Sequence, residues 1–355
     1  MAKLNEGDVM EGIFAIALGE LFAYGTISKT RLNNVRRRVD SSLFRTGRYK
    51  TQIRKFIDGR PDDNIEVNLE MRMKYESTKM AFGEAYSLLY EKSGDVGNLD
   101  RKIDQLIKYT NTNYRKMVQN TKNKYLLNNE SDNVVITIIA DGIAGESSGG
   151  LVKGDLEVMV DINGQSAMNQ NLNFSLKSGS KTLANLSPFN GMMDILGRFG
   201  AQVSDPEMYS STLGGTLAQA RTPAEKKMKV DLIKKLYKEV LINLKSKQGG
   251  PAFKQQAFQL FRDVTFGDDL ADVVDIDKTK IKEMTVDYIN ELETKVTNFL
   301  VEENKSGNLI FKIMPQNKAL FQLRFKNRSS TLNGEFQIKE LKFYIEAGPA
   351  AYIPK

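Results

Sequence analysis

The chain predicts an α/β fold, and three observations carry that expectation. An apolar helical pattern leads the sequence, runs with strand periodicity stand both before and after a long helical block, and glycine and proline punctuate the joins between them. Read together they give one α/β core over residues 1–204, a mainly helical insertion over 205–305, and C-terminal strands over 306–355 that return to the core sheet. The 355 residues exceed one domain of about 150, and a 41% hydrophobic content suffices for a real core.

In residues 6–24, Val9, Ile13, Ile16, Ala17 and Leu21 recur at helical spacing, and Glu11 sits near the start, where the helix dipole favours a carboxylate. No basic region precedes this apolar stretch, and Glu11 and Glu20 interrupt it. A signal peptide or membrane span is therefore not expected, and a cytoplasmic location is. Between Lys29 and Arg60 eleven Lys/Arg stand against only Asp40 and Asp58, which marks a candidate polyanion contact.

Ile65, Val67, Leu69 and Met71 then alternate as in a strand, helical patterns fill 77–91 and 99–126, and Asn133 to Ala140 holds a β-branched run typical of a buried strand. A glycine-rich connection from Asp141 to Gly150 follows. Pro188 opens a helix over 188–199 whose apolar side is Met192, Ile195, Leu196 and Phe199. Thr222-Pro223-Ala224-Glu225 is a capping box with proline at the first helical position, so a helix is predicted over 223–245. Its apolar residues, Met228, Leu232, Leu236, Leu241 and Leu244, assign it to packing, and Gly249-Gly250-Pro251 ends it. Helices are expected over 252–263 and 280–301, the second carrying Met284, Tyr288, Ile289, Leu292, Val296 and Phe299. Between Leu309 and Ile345 the pattern returns to strands, and no internal repeat or low-complexity tract occurs.

The most informative stretch lies before the helical block. Residues 153–161 and 171–180 alternate apolar and polar as the arms of a half-buried hairpin do, with Asn163-Gly164 as turn chemistry between them. In the second arm Leu172, Phe174 and Leu176 form one face, so Ser175 and Lys177 project from the other; in the first, Asp155 and Glu157 share a face. A carboxylate and a lysine on neighbouring strands can hold a divalent cation beside a charged amine, which suits phosphodiester hydrolysis. The plainer alternative is a solvated face on which Asp155, Glu157 and Lys177 pair across strands.

The absences narrow the chemistry. With no histidine, cysteine or tryptophan, the chain has no histidine base, thiol nucleophile, disulfide or thiolate zinc site. A metal would be a hard cation on oxygen ligands, Mg²⁺ or Mn²⁺. No Walker loop, no GxGxxG after a strand and no GxSxG elbow is found, which argues against P-loop nucleotide hydrolysis.

A leading helix with an acidic residue, then strand-turn-strand carrying Asp and, on the second strand, x-Lys, resembles the PD-(D/E)XK nuclease superfamily. Asp155 matches the first aspartate, preceded by Gly154 where the name has proline; Lys177, twenty-two residues on, matches the lysine. Ser175 stands where that pattern usually has Glu or Asp, and a hydroxyl is a weaker ligand for a hard cation than a carboxylate. The resemblance covers residues 130–200 and the first helix.

It implies a restriction endonuclease-like mixed sheet flanked by helices and a Mg²⁺- or Mn²⁺-dependent nuclease, a DNA endonuclease of restriction-like or phage type, acting in the host cytoplasm if phage-encoded. Asp155 would bind metal, Lys177 would orient the attacking water or neutralise charge on the phosphorane, and Ser175 would be a secondary contact. Glu11 is the first choice for the missing acid, with Glu146, Glu157 and Asp194 as alternatives. The partner implied is DNA, RNA not excluded, touched by Arg36, Arg37, Arg38, Arg45 and Arg48 and by Arg324 and Lys326, which oppose Phe321, Leu323 and Phe325 on their strand. A homodimer is compatible with this reading, a membrane partner is not expected, and the arginine cluster could equally be a solvated or protein-contact surface. The competing class is a non-catalytic nucleic-acid-binding or virion structural protein that keeps the nuclease fold with a degraded site.

Overall fold

The computed structural model describes residues 6–24, 26–30, 48–52, 65–72, 96–114, 134–141, 154–166, 172–177, 181–186, 189–214, 222–277, 279–332 and 335–354. Seven α-helices fall among them: α1 (Glu6–Tyr24), α2 (Val96–Tyr109), α3 (Asn190–Arg198), α4 (Pro206–Leu213), α5 (Pro223–Lys247), α6 (Pro251–Phe266) and α7 (Val286–Lys295). The strands are β1 (Arg48–Gln52), β2 (Ile65–Arg72), β3 (Val134–Asp141), β4 (Leu156–Ile162), β5 (Gln165–Ser166), β6 (Leu172–Lys177), β7 (Thr182–Leu186), β8 (Asp272–Ile276), β9 (Ile281–Met284), β10 (Asn298–Glu303), β11 (Leu309–Met314), β12 (Lys318–Leu332) and β13 (Glu335–Ala347). The fold is mixed α/β. It divides into two compact units, Met1–Ser180 with Phe266–Glu283, and Lys181–Thr265 with Met284–Lys355.

The first unit is built on a mixed sheet in the order β1-β2-β3-β4-β6-β8-β9, with β5 paired to β4. β2 and β3 are parallel, β3-β4 and β4-β6 antiparallel, and β6-β8 parallel. Leu156, Val158 and Val160 of β4 are buried while Glu157 and Met159 are half-buried, so the alternation written in the sequence is kept. Asn163 and Gly164 both take positive φ and close a two-residue turn, but it leads into β5; β6 pairs with the opening residues of β4 instead. The apolar face of the sheet carries α1, whose Phe14 meets Phe174 edge-on at 5.5 Å. From Ile13 to Phe22 every α1 residue but Gly19 is a buried hydrophobic or, at Glu20, a buried acid, the burial expected of a helix that is apolar nearly all round. Asn111, in the π-helical turn after α2, clamps Ile27 through both its backbone groups (3.0 and 3.1 Å).

The second unit corrects the expected organisation. β11, β12 and β13 do not rejoin the first sheet; with β10 and β7 they form a separate antiparallel sheet in the order β10-β11-β12-β13-β7. Residues 205–305 are mainly helical through α4–α7, but they also contribute β8 and β9 to one sheet and β10 to the other, so they are not an insertion set apart from the sheets. The helix expected over 280–301 is a strand, a ten-residue helix and a second strand. Thr285 starts α7 late by accepting from the Tyr288 N–H (3.2 Å), and the Lys254 ammonium ends it early by donating to the carbonyls of Glu293 (3.1 Å) and Val296 (3.0 Å).

The capping box of α5 is present as predicted, Thr222 Oγ1 accepting from Glu225 N at 3.1 Å. The second core is aromatic. Phe311 and Phe321 stack at 4.2 Å, Phe253 and Phe199 pack at 4.5 Å, and Tyr237 of α5 stacks on Phe343 at 5.5 Å. The Tyr237 hydroxyl donates to Leu323 O (2.7 Å) and accepts from Leu309 N, tying β11 to β12; burial pushes its pKa well up. No helix among the described residues is long and apolar enough to cross a membrane.

Candidate functional site

The polar face of the first sheet gathers the hairpin residues. Asp155 precedes β4, and its N–H still donates to Phe174 O (2.7 Å), which fixes it in the ladder. Continuing the register Leu156↔Phe174 by one step sets Asp155 opposite Ser175, and the side chains meet there. Asp155 Oδ2 accepts from Ser175 Oγ at 3.1 Å and from the Leu176 N–H at 2.8 Å. Both bonds use the same oxygen. Among the described residues no donor occupies Oδ1, the atom left for a ligand.

Burial pushes the Asp155 carboxyl above the ordinary aspartate value of 3.8. The Lys177 charge, the Leu176 N–H and the Ser175 hydroxyl oppose that shift, and Asp269 adds to it. Lys177 lies two residues beyond Ser175 on the same face of β6, so the structure brings together Asp155, Ser175 and Lys177, three of the four expected catalytic residues.

The fourth, Glu11, is not brought to this cluster. Its helix lies on the apolar face, against Phe174, whereas Asp155, Ser175 and Lys177 share the opposite face. The charges acting on Asp155 are those of Lys177 and Asp269. Glu157 keeps the face of Asp155, opposite Asn173. Asp194 is engaged by Arg198 on its own helix (3.4 Å), and Arg198 also holds Asp263 at 2.5 Å. Glu146 lies outside the described residues.

Two acids that the sequence reading passed over do enter the site. Asp269 accepts the Gly154 N–H at 2.6 Å, and its carbonyl accepts the Asn173 side-chain amide at 2.8 Å. That contact suits glycine at position 154: proline has no N–H to donate, and a Cβ there would stand 2.6 Å from the Asp269 carboxylate. Asp275 is in register with Lys177 on the parallel neighbour β8, on the same face, and is only 3% exposed. The run Asp272-Val-Val-Asp-Ile signalled a short strand through its β-branched residues, but nothing in it announced which strand it would join.

The donor set falls short of what a divalent cation needs. It supplies the Asp155 carboxylate with one uncommitted oxygen, yet among the described residues no three acidic side chains gather closely enough to hold a metal. These residues alone therefore do not complete a hard-cation shell.

Of the expected nucleic-acid contacts, Arg36, Arg37, Arg38 and Arg45 lie outside the described residues, as do the side chains of Arg48 and Lys326, whose backbones belong to β1 and β12. Lys29, the first cation of the basic segment, is committed to Asp104 (2.8 Å) and Asp100 (3.7 Å), and its hydrogen bond to Asp104 raises its pKa. Arg324 is paired with the buried Glu346 at 3.2 Å, a carboxylate that also accepts from Gln322 (2.8 Å).

No protein-family model, no curated protein and no solved structure matches this chain.

Proposed function

We propose that the chain is a metal-dependent phosphodiesterase acting on nucleic acid, a DNA endonuclease of restriction-like or phage type working in the cytoplasm, with Asp155 and Lys177 as its reacting groups. The observation that supports it most is their sharing one face of adjacent strands, with the half-buried Asp155 carboxyl held above the aspartate range and, among the described residues, no donor at its Oδ1. A mixed sheet with α1 on one face agrees with the arrangement the superfamily resemblance implies.

In this reading a bound Mg²⁺ or Mn²⁺ would supply a water of lowered pKa and offset phosphate charge. Asp155 would be the carboxylate that holds such a cation, through Oδ1. Ser175 Oγ and the Leu176 N–H fix the carboxylate through its other oxygen. Lys177 places an ammonium beside the scissile phosphate, where charge grows in the transition state. Asp275, buried and in register with it on the neighbouring strand, would orient the Lys177 side chain.

A second reading has its own support: Ser175 in place of an acid and the incomplete donor set favour a non-catalytic nucleic-acid-binding or virion protein on a degraded nuclease fold. Plasmid cleavage with Mg²⁺, Mn²⁺ or EDTA separates the two. Nicking or linearisation is expected with metal, none with EDTA, and none from folded Asp155→Ala or Lys177→Ala. A folded wild-type protein that binds plasmid but leaves it supercoiled with either metal establishes the second reading.

A further inference from the structure

The polar side of α5 carries a patch of uncompensated charge, and the packing role of this helix does not account for it. Its 25 residues carry eight lysines and three acids, a net +5 within a chain of net +7. One side is buried through Ile233, Leu236, Val240 and Leu244. On the other, Lys227, Lys234, Lys238 and Lys245 are all exposed. Their spacings of seven, four and seven residues put them within about 40° of arc at 3.6 residues per turn. The line runs about 27 Å, at 1.5 Å per residue, on a straight helix.

Asp231 is the acid that borders this line, 3.9 Å from Lys234, both well exposed. Among the described residues Lys227, Lys238 and Lys245 have no carboxylate within ion-pair distance. Four like charges along one face repel one another, and such a face is favoured when it meets an evenly charged polyanion.

We propose that this face of α5 binds the phosphate backbone of duplex nucleic acid, a contact separate from the basic segment of residues 29–60. The inference rests on the nuclease reading only for the choice of nucleic acid as the polyanion, and it requires no hydrolysis. Duplex DNA carries a charge about every 1.7 Å along its axis, counting both strands, so a cationic face laid along one backbone strand meets successive phosphates without base-specific contacts. An anionic membrane fits less well. A membrane-surface helix inserts an exposed apolar face, whereas the apolar side of α5 is buried, and its exposed large apolar residues are Met228 and Ile242 alone.

The test is anisotropy binding in EDTA, so that no cleavage intervenes, with a labelled duplex of arbitrary sequence across about 50–200 mM salt. The variant replaces Lys227, Lys234, Lys238 and Lys245 with glutamine. These exposed positions make a folded product the expectation, checked by circular dichroism. The control replaces the exposed Lys181, Lys280, Lys305 and Lys318, with the same loss of charge but no line.

Loss of four phosphate contacts lowers the magnitude of the log–log salt slope by about 3.6, at about 0.9 per contact, and weakens binding at low salt at least tenfold. The control is expected to change the slope by less than about one contact. The proposal is overturned if both variants weaken binding equally, if neither does, or if the wild-type protein binds no duplex. It is also overturned if vesicles of phosphatidylserine and phosphatidylcholine, but not duplex, are bound through these lysines. Because the readout is binding without metal, a catalytically silent protein that still shows the slope change sinks the nuclease reading and leaves this inference standing.

Discussion

Asp155 offers a perturbation whose sign follows from its surroundings. Replacement by asparagine keeps an oxygen to accept from Ser175 Oγ (3.1 Å) and the Leu176 N–H (2.8 Å) while removing a carboxyl that burial makes costly to ionise. Replacement by alanine removes the acceptor as well and strands the Leu176 N–H, a loss of about 1–3 kcal/mol. At neutral pH the expected order of stability is therefore Asp155→Asn at or above wild type, and Asp155→Ala about 1–3 kcal/mol below Asp155→Asn.

The pH dependence follows from linkage. Below the ordinary value of 3.8 the carboxyl is protonated in folded and unfolded chains alike, and wild type and Asp155→Asn differ little. From 3.8 up to the raised folded value the unfolded state gives up its proton while the folded state keeps it. Wild-type stability thus falls through that interval, and the advantage of asparagine grows and then levels off. Urea unfolding of the three proteins between about pH 3.5 and 8, followed by far-ultraviolet circular dichroism, reads both effects. An asparagine variant less stable than wild type at neutral pH, or an advantage that shrinks as pH rises, refutes the reasoning. It would mean that the Lys177 charge outweighs burial and that Asp155 is a stabilising ion-pair partner.

Two further outcomes are expected. Asp275→Asn should lower kcat for plasmid cleavage at least about tenfold while KM stays within about twofold, the split expected when a group acting in the transition state loses its orientation, with partial return of kcat in Asp275→Glu; equal kcat in wild type and Asp275→Asn removes Asp275 from the mechanism. Tyr237→Phe deletes the hydroxyl that bridges Leu309 N and Leu323 O and should cost about 1–3 kcal/mol in urea unfolding, whereas unchanged stability would mean that the β11–β12 ladder satisfies both groups without it.

What could be read from the sequence was what local periodicity and capping determine. The α5 boundary at Thr222-Pro223 and the alternation of β4 and β6 are local, and both are present. The breaks around α7 were not legible, because one of its ends is set by Lys254, whose ammonium caps the final turn from a different helix. The sheet assignments were illegible for a related reason. Strand periodicity states that β8 and β11–β13 exist but not which edge each joins, and the parallel β6-β8 pair closes across nearly a hundred residues. Strand parity gave half of the site, the shared face of Asp155, Ser175 and Lys177. A helix pattern does not say which face of a sheet the helix will cover, and Phe14 against Phe174 places α1, the helix that carries Glu11, on the apolar one.

Ser175 and Gly154 can be read as parts of one electrostatic arrangement around Asp155. A carboxylate at 175 would face Asp155 directly at a position 1% exposed, on a face where Asp155 already feels Asp269 and where Lys177 already has buried Asp275 beside it. A third or fourth desolvated charge around one ammonium would protonate or destabilise the fold, since a single lysine cannot offset them all. Serine avoids that cost and still donates to Asp155 Oδ2, the work a neutral neighbour can do. Glycine at 154 belongs to the same arrangement, because it lets Asp269 approach and gives it an N–H. On this argument a neutral serine suits position 175 because acids already stand close by, Asp275 on β8 in register with Lys177 and Asp269 in the turn leading into β8 beside Gly154 and Asp155.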